Sequence, residues 1–381
     1  MAIPNEIEII THKVVMPRVV YDNYFLVSAF WAAMRRAGRF VPFGGGSYMA
    51  SPFMYRGLYA GAYTPGDEFR PERRQVLSQF VLNPKFYITF AVEQLEDLEV
   101  FAKGPAAIFS LVSTDLAAMV LSITSNIAVN FSKSGQGSRA EHLNGWPEWI
   151  NDGLCPSYDG TVYTSVGGQT RSEVRQFSGV GTTLCSVPRY VGGSDGSLKP
   201  LTYDELDRGY LDTCFGQHQP DLGLGSKAVV AQIEGLMQRQ QVYVQASDPY
   251  YGLYNGIKFK NAVVLHDDLW PSSSSNYGLN TEYGDFRTSS FAFANSGSTV
   301  PAQFARELPA DGTTLQVGEV FCWITTKFWD IILSDSKLFS FGWTGWETAQ
   351  TNLRAVGKMP AALNVRCNAS RHQKQFFGIA A

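Results

Sequence analysis

The chain has 381 residues and a formal net charge of -3, with 45% hydrophobic, 13% aromatic and only 17% charged residues. This length supports a large core and two lobes, the low charge indicates that much surface is buried against other molecules, and the lack of a basic excess argues against a dedicated nucleic-acid-binding protein. The five cysteines are scattered without a C-x-x-C pair, so we expect reduced thiols instead of a disulfide framework or a zinc site.

The N-terminal part predicts an extended arm and then a helix. Residues 1–20 alternate weakly between apolar and polar side chains and are flanked by prolines, which favours an arm over a packed strand. A helix is predicted from Asp22. It ends at Arg35, Arg36 and Gly38, because cations favour the negative end of a helix and glycine stops it.

A long β-hairpin is predicted after this helix. Two extended legs flank a Pro-Gly-Asp tip at residues 65–67, and residues 86–90 belong to the returning leg. An isolated hairpin is marginal in water, so one of this length needs a surface to lie on. We expect residues 45–90 to stay unburied on their own chain and to become ordered only against a neighbouring molecule.

The longest helical pattern follows, over about 105–132. Apolar residues recur along it at intervals of three and four, and at 1.5 Å per residue the helix spans roughly 40 Å. A membrane span is the alternative, because residues 106–129 are mostly apolar. Asp115 and seven Ser, Thr or Asn residues interrupt this run, however, and such polar groups are unfavourable in a lipid-facing helix.

Two capped helices are predicted in the second half of the chain. Thr202 and Glu205 have the spacing of a capping box, which begins a helix that runs to about Cys214. Ser226 caps a second helix that runs to Gln241. The glycines before Ser226 loosely fit a dinucleotide-binding fingerprint, but no buried strand is predicted before them, which favours a simple Ser-capped helix.

A single strand is predicted over 256–265, and it ends in His266, Asp267 and Asp268. Histidine and aspartate at a strand end are typical of metal and hydrolytic sites, so a soluble hydrolase or metal enzyme that uses these three residues is one alternative. A polar strand end entering a loop is the favoured interpretation, because no histidine has H-x-x-x-H or H-E-x-x-H spacing. We therefore predict a protein that is not an enzyme and has no cofactor.

The order and spacing of these pieces carry a resemblance to one family. A helix with an acidic first turn, a Pro-Asp segment, a Ser-capped helix and a Gly-Ile-Lys-Phe strand running into Asp resemble the major capsid proteins of tailed bacteriophages of the Hong Kong 97 type. The segments from Leu143 to Gly153 and from Arg371 to Ile379 are similar to parts of the same family. Strands are also predicted at 320–324, 328–333 and 361–368.

The resemblance implies an α+β fold of the Hong Kong 97-like type. This fold has an N-terminal arm, an extended β-hairpin called the E-loop, a peripheral domain with a long spine helix, and an axial domain. The implied segments are the arm and first helix (1–40), the E-loop hairpin (41–90), the peripheral domain with its spine helix at about 105–132 (91–200), the axial domain (201–330) and the return strands of the peripheral domain (331–381).

The implied function is mechanical. Such a protein assembles as hexamers and pentamers into an icosahedral shell that encloses phage double-stranded DNA, forms in the cytoplasm of the bacterial host and becomes the virion capsid. The implied partners are many copies of itself, a scaffolding protein, a portal and a decoration protein, with nonspecific contact to DNA and no membrane. An encapsulin-like nanocompartment shell is the first alternative, and the enzyme considered above is the second.

A charge pattern in the sequence suggests how copies dock. Residues 30–85 carry eight basic against three acidic residues, and residues 91–103 carry four acidic residues against one lysine. Opposite charges on two surfaces set the register of an interface more than its affinity. The alternative is that these charges are solvated and pair with nothing. The candidate contact residues are Arg56, Arg70, Arg73, Arg74, Glu93, Glu96, Asp97 and Glu99.

Two further expectations follow from the resemblance. Some members of the family join subunits through an isopeptide bond between an E-loop lysine and an asparagine. Here no lysine lies between Lys13 and Lys85, and Lys85 is at the hairpin base, so we predict no such cross-link. The sequence also begins close to the arm, and we therefore expect scaffolding to come from a separate protein. The alternative is a preceding scaffold domain that is removed by cleavage.

Overall fold

A computed structural model describes residues 28–54, 58, 61–64, 76–94, 111–136, 140–171, 185–237, 256–271, 290–292, 313–348 and 354–380. In these ranges the α-helices are α1 (Ala29–Arg36), α2 (Leu111–Phe131), α3 (Trp146–Trp149), α4 (Tyr203–Thr213) and α5 (Lys227–Met237). The first strands are β1 (Phe40–Phe43), β2 (Met49–Met54), β3 (Leu77–Leu82), β4 (Lys85–Gln94), β5 (Ser165–Val166), β6 (Gln169–Thr170) and β7 (Arg189–Tyr190). The remaining strands are β8 (Leu222–Gly225), β9 (Ile257–Phe259), β10 (Ala262–His266), β11 (Ser290–Ala292), β12 (Thr314–Gln316), β13 (Glu319–Ile324), β14 (Trp329–Ser334), β15 (Trp346–Thr348), β16 (Arg354–Cys367) and β17 (Lys374–Ile379).

The first of two main sheets is built around the 14-residue strand β16. The strand order is β1-β14-β16-β15, and β4 pairs with the other side of β16. The β4–β16 ladder is antiparallel and runs over ten residue pairs, from Lys85 opposite Leu363 to Gln94 opposite Arg354. The long helix α2 packs against both β4 and β16. Strands far apart in sequence therefore meet in one sheet.

The second sheet has six strands in the order β7-β17-β13-β8-β10-β9, and both of its faces are buried. On β13, Phe321 and Trp323 pack among the apolar side chains of α4 and α5. Cys322 and Ile324 on the same strand point to the opposite core, which also contains residues of α2 and the first sheet. Because successive side chains of a strand alternate between faces, a strand buried on both faces is apolar almost throughout.

Strand β8 was not predicted, because its Leu-Gly-Leu-Gly sequence is typical of a loop. The structure explains the glycines by close packing. A Cβ atom built on Gly223 would lie 2.7 Å from the ring of Trp323, and one on Gly225 would lie 2.9 Å from the ring of Phe321. The glycines therefore let two aromatic rings lie against the backbone of this central strand.

The predicted caps and stop signals of the helices agree with the structure where it describes them, but α1 begins at Ala29 instead of the predicted Asp22, since Ser28 has an extended backbone. In α4 the Thr202 side chain accepts a hydrogen bond from the Glu205 amide. The Ser226 hydroxyl accepts one from the amide of Val229 at the start of α5. Gly38, at φ +64°, ends α1 in a Schellman motif. The predicted arm, the start of the long helix before residue 111 and the end of α5 after residue 237 lie outside the described residues.

The single strand predicted over 256–265 is wrong. The structure has a tight hairpin there, β9–β10, in which Lys260 takes a left-handed conformation at φ +51°.

The segment predicted to hold the return strands of the peripheral domain, 331–381, contributes strands to both main sheets. Its last strand, β17, lies between β7 and β13 in the second sheet, where its apolar side chains Phe376 and Phe377 are buried on opposite faces.

The predicted hairpin is present at its base, with a different pairing from the one expected. β2 and β3 are antiparallel, with Met49 opposite Leu82 and Met54 opposite Leu77. The expected returning leg at residues 86–90 belongs to β4 and pairs with β16 instead. The tip at 65–67 lies outside the described residues. No helix among the described residues is long and apolar enough to cross a membrane.

The base of this hairpin is buried on its own chain, contrary to the expectation for residues 45–90. The rings of Phe53 and Phe80 stack 4.3 Å apart, and Phe80 makes an edge contact with Trp149 at 5.2 Å. The Val81 amide donates a hydrogen bond to the Gly167 carbonyl. One face of β2 and β3 is apolar, and the loop that carries β5 and β6 supplies the surface that buries it.

Candidate intersubunit surface

Strand β4 presents a row of large apolar side chains to solvent. Phe86, Ile88, Phe90 and Val92 are 65%, 59%, 64% and 45% exposed. The residues between them face the other way, and Tyr87 and Ala91 among them pack against the main core. Contiguous apolar patches are uncommon on soluble monomers and mark interaction sites. We call these four side chains the β4 row.

The β4 row lies on a strand at the edge of the first main sheet. Among the described residues β4 pairs only with β16, so it is an edge strand ten residues long. Long apolar edge strands associate with other chains, and proteins normally protect them with charged residues or a covering segment. The chain after β14 covers part of β16, where the Phe339 ring meets the Phe86 ring edge-on, and the rest of the β4 row stays exposed.

The base of the hairpin adds a second exposed apolar surface. On the outward side of β2 and β3, the paired side chains of Met54 and Leu77 are each more than half exposed, and Val81 is partly exposed. On the inward side, Phe53 and Phe80 are buried. The base of the hairpin therefore has apolar side chains on both faces, of which one is buried on its own chain and the other is exposed.

Most of the charged residues predicted to contact neighbouring subunits lie outside the described residues: Arg56, Arg70, Arg73, Arg74, Glu96, Asp97 and Glu99. Glu93 is described. It lies near the end of β4, opposite Ala355 of β16, and is half-buried. Lys85 begins β4, donates a hydrogen bond to the Ala140 carbonyl, and has its pKa lowered by burial.

Asp267, the middle residue of the three considered as an enzyme site, has a structural role. Asp267 is buried and accepts hydrogen bonds from the Ser28 hydroxyl at 2.7 Å, the Phe30 amide at 3.2 Å and the Leu269 amide at 2.9 Å. It therefore caps the N-terminus of α1 from a distant part of the chain. Burial raises the pKa of this carboxyl group, and the hydrogen bonds partly oppose that shift.

The other two residues considered as an enzyme site are Asp268 and His266. Asp268 forms an ion pair of 2.7 Å with Lys227 at the start of α5. Burial lowers the pKa of His266, which ends β10. Within the described ranges no group of three or more His, Cys, Asp or Glu side chains is arranged to hold a metal ion. In this arrangement Asp267 and Asp268 hold two helix N-termini beside the second sheet.

Sequence reasoning missed the β4 row, although its signal was present. Phe86, Ile88, Phe90 and Val92 recur at every second position, the spacing of one strand face. We assigned that alternation to a hairpin leg. The partner strand β16 lies more than 250 residues further along the chain, and no local pattern identifies it.

Comparison with known proteins adds evidence on the fold. No protein-family model matches the chain, and no curated protein sequence matches it. The capsid asymmetric unit of cyanophage A-1(L) is similar with a TM-score of 0.61 and 12% identity, over 98% of each chain. The capsid of a native GTA particle has a TM-score of 0.55 and 9% identity, over 97% of this chain and 96% of that one.

A solved encapsulin structure is also similar to this chain. The encapsulin in a holo complex from Synechococcus elongatus PCC 7942 has a TM-score of 0.53 and 7% identity, over 100% of this chain and 97% of that one. Likenesses at such low identity, over nearly the whole of both chains, concern the fold. The chain has the Hong Kong 97-like α+β fold, as its sequence predicted.

Proposed function

We propose that this protein is a structural shell subunit that assembles into hexamers and pentamers of an icosahedral phage capsid around double-stranded DNA. The β4 row is the observation that carries the proposal, because an apolar edge strand on a chain of this fold calls for a neighbouring copy. The role is mechanical and requires no catalytic residue or cofactor.

The exposed fraction of the four side chains gives the free energy that one intersubunit contact gains by burying the β4 row. Complete burial of a Phe, Ile or Val side chain contributes about 1.5–3 kcal/mol, and these four start about half to two-thirds exposed, so the whole row contributes about 5 kcal/mol. Association itself costs about 4–15 kcal/mol in lost motion. One such contact is therefore weak, and a stable shell needs each subunit to engage several neighbours at once.

The occupant that we propose for the β4 row is the E-loop hairpin of a neighbouring copy. The hairpin carries exposed apolar residues at Met54 and Leu77, and the sequence between them contains four arginines and three acidic residues. The acidic run begins with Glu93, where the β4 row ends. The apolar β4 row and the acidic residues that follow it thus complement an apolar hairpin that carries arginines. Attraction between the opposite charges sets the register of the hairpin on the β4 row. The proposed pairs involve Arg56, Arg70, Arg73 and Arg74 with Glu93, Glu96, Asp97 and Glu99.

The remaining partners follow from the same role. The proposed capsid forms in the bacterial cytoplasm with the help of a scaffolding protein, joins a portal, accepts a decoration protein and becomes part of the virion. Its contact with DNA is nonspecific, in keeping with the net charge of -3. An encapsulin-like compartment with a protein cargo is the second candidate, because a solved encapsulin shares the fold.

Size-exclusion chromatography and electron microscopy of the purified protein test this proposal. We expect shells or capsomers, and a monomer or dimer as the sole species at high concentration would overturn it. Nuclease-protected DNA in particles from infected cells supports the capsid, and a protein cargo without DNA supports the compartment.

A matched pair of variants tests the surface itself. Phe90→Asp places a charge in the β4 row, and we expect folded subunits that no longer form shells. Leu211→Asp alters an apolar residue on α4 that is also more than half exposed, and it should leave assembly unchanged. Normal shells from Phe90→Asp would exclude the β4 row as a contact.

A further inference from the structure

The chain changes sheets between β3 and β4 within two residues, Asn83 and Pro84. β3 belongs to the two-stranded hairpin sheet, and β4 belongs to the first main sheet. The β4–β16 ladder ends at the pair Lys85–Leu363, so the next residues in register are Pro84 and Asn364. Proline has no amide hydrogen and cannot donate to the ladder, which therefore stops where the hairpin leaves the body.

Beyond the last backbone pair of the ladder, the side chain of Asn364 provides the hydrogen bonds that hold the turn. Its Nδ2 donates hydrogen bonds to the Asn83 carbonyl at 2.7 Å and to Asn144 Oδ1 at 2.8 Å. Its Oδ1 accepts hydrogen bonds from the Asn144 amide at 3.2 Å and the Val365 amide at 2.8 Å. All four hydrogen-bonding positions of this fully buried amide are thus used, which fixes its orientation.

A second layer holds Asn144 in place. Asn144 Nδ2 donates to both carboxylate oxygens of Glu148, at 2.9 and 3.0 Å. Gln136 Nε2 donates to Glu148 Oε1 at 2.7 Å and to the Ser165 carbonyl at 2.8 Å. Glu148 is completely buried, and burial raises its pKa while these amides oppose the shift. A satisfied buried polar network of this kind specifies one geometry, because any displacement leaves a polar group unpaired.

A polar cavity of about 380 Å³ lies at the same joint. Val81 of β3 and Asn83 of the turn line it from the hairpin side, and Lys85 of β4, Gln136 and Glu148 line it from the body side. Apolar packing at this joint includes the ring contact of Phe80 with Trp149. The hydrogen bond from Asn364 to the Asn83 carbonyl is a direct restraint on the turn itself.

We propose that Asn364 is a positioning residue that fixes the angle at which the E-loop hairpin leaves its subunit. Six residues of β3 span about 20 Å, so a tilt of about 10° at Asn83 moves the far end of that strand by about 3.5 Å. A displacement of that size breaks contacts at a neighbour's surface. The use of the angle in shell assembly rests on the proposed function, whereas the angle itself is a property of a single subunit.

Distance measurements between two spin labels test this role in the full-length chain. One label is placed at the exposed position Gln79 on β3 and the other at Ser336 after β14, in a Cys214→Ser background that leaves buried native thiols. We expect one narrow distance distribution in the parent protein and a distribution at least about twofold broader in Asn364→Ala, since the restraint on the turn is lost. A loss of thermal stability alone would not produce this broadening.

The control and a second variant make the test decisive. Asn368→Ala removes a similar hydrogen bond near the end of the same strand, to Asp330 instead of the hairpin, and should leave the distribution narrow. If Asn364→Ala does not fold, Pro84→Gly frees the same turn without changing the core and should broaden the distribution. Narrow distributions in every folded variant would overturn the proposal.

The outcomes also separate this inference from the proposed function. If Asn364→Ala forms shells of uneven size and its unassembled subunits show a broadened distance distribution, the results support both the role of Asn364 and the proposed function. If the parent protein forms no shells, the proposed function fails, while the distance measurement still decides the role of Asn364.

Discussion

Acidification should destabilise this protein through His372, which lies where the chain crosses from the first sheet to the second. The ring of His372 stacks on Phe328 at 4.4 Å, and Phe328 ends the neighbouring crossover between β13 and β14. His218 lies 5.6 Å from the His372 ring, and His372 Nδ1 lies 3.2 Å from the Thr213 carbonyl. Arg371 is the adjacent cation. A proton on His372 would therefore enter a buried aromatic stack beside positive charge.

These surroundings set both the sign and the size of the effect. Burial, and then the charge of Arg371, lower the pKa of His372 to about 4, and the hydrogen bond to Thr213 opposes them. In the unfolded chain this pKa is about 6.5, so the unfolded state binds the proton first as the pH falls. Stability is lost from about pH 6.5 down to about pH 4 and then levels off. The loss is about 2 kcal/mol at pH 5 and about 3 kcal/mol in full.

Urea unfolding of the unassembled subunit at pH 7 and pH 5 measures this loss. Buried carboxyl groups such as Asp267, whose pKa is raised by burial, act in the opposite direction, so the informative quantity is the difference between the parent protein and His372→Gln. We expect His372→Gln to be less stable at pH 7, because it loses the stack, yet to lose about 2 kcal/mol less on going to pH 5. Asn368→Ala should keep the parent's pH dependence. Equal pH dependence in the parent and His372→Gln would refute the reasoning.

Asp267→Ala should lower the free energy of unfolding by about 3 kcal/mol, because two buried amides and a hydroxyl lose their acceptor. Asp268→Ala, which breaks a more exposed ion pair, should cost less than about 1 kcal/mol, and equal losses would contradict the capping role. Reversing the charge of Arg73 and Arg74 together should impair shell closure and leave the subunit folded. Normal particles from that double variant would end the electrostatic docking hypothesis. Denaturing gels of assembled particles should show only single chains, and covalent ladders would contradict the prediction of no isopeptide cross-link.

The sequence predicted best what depends on neighbouring residues. Thr202 and Ser226 cap helices because a side chain three residues before an amide can reach it, and Gly38 ends a helix because it alone tolerates that backbone angle without strain. These signals are complete within one turn of chain. The order of such local signals along the chain was also sufficient to predict the fold.

Non-local packing was not predictable in the same way. Gly223 and Gly225 form a strand because Trp323 and Phe321, about 100 residues away, need their backbone as a packing surface. The alternation in β4 is visible in the sequence but its partner β16 is not, so the sequence predicts a hairpin leg where the structure has a strand at the edge of a sheet. His266, Asp267 and Asp268 resembled a site in sequence, and only the contact of Asp267 with α1 explains its position.

The order of strands in the first sheet has a consequence for synthesis of the chain. β4 leaves the ribosome about 260 residues before β16, which at about 5–20 residues per second is a delay of about 13–50 s. Throughout that interval the edge of β4 that later pairs with β16 lacks its ladder, and the outward-facing Phe and Ile side chains are accessible together with those destined for the core. A nascent chain of this design is exposed to premature association, and a holding chaperone would be most useful before residue 354 is translated.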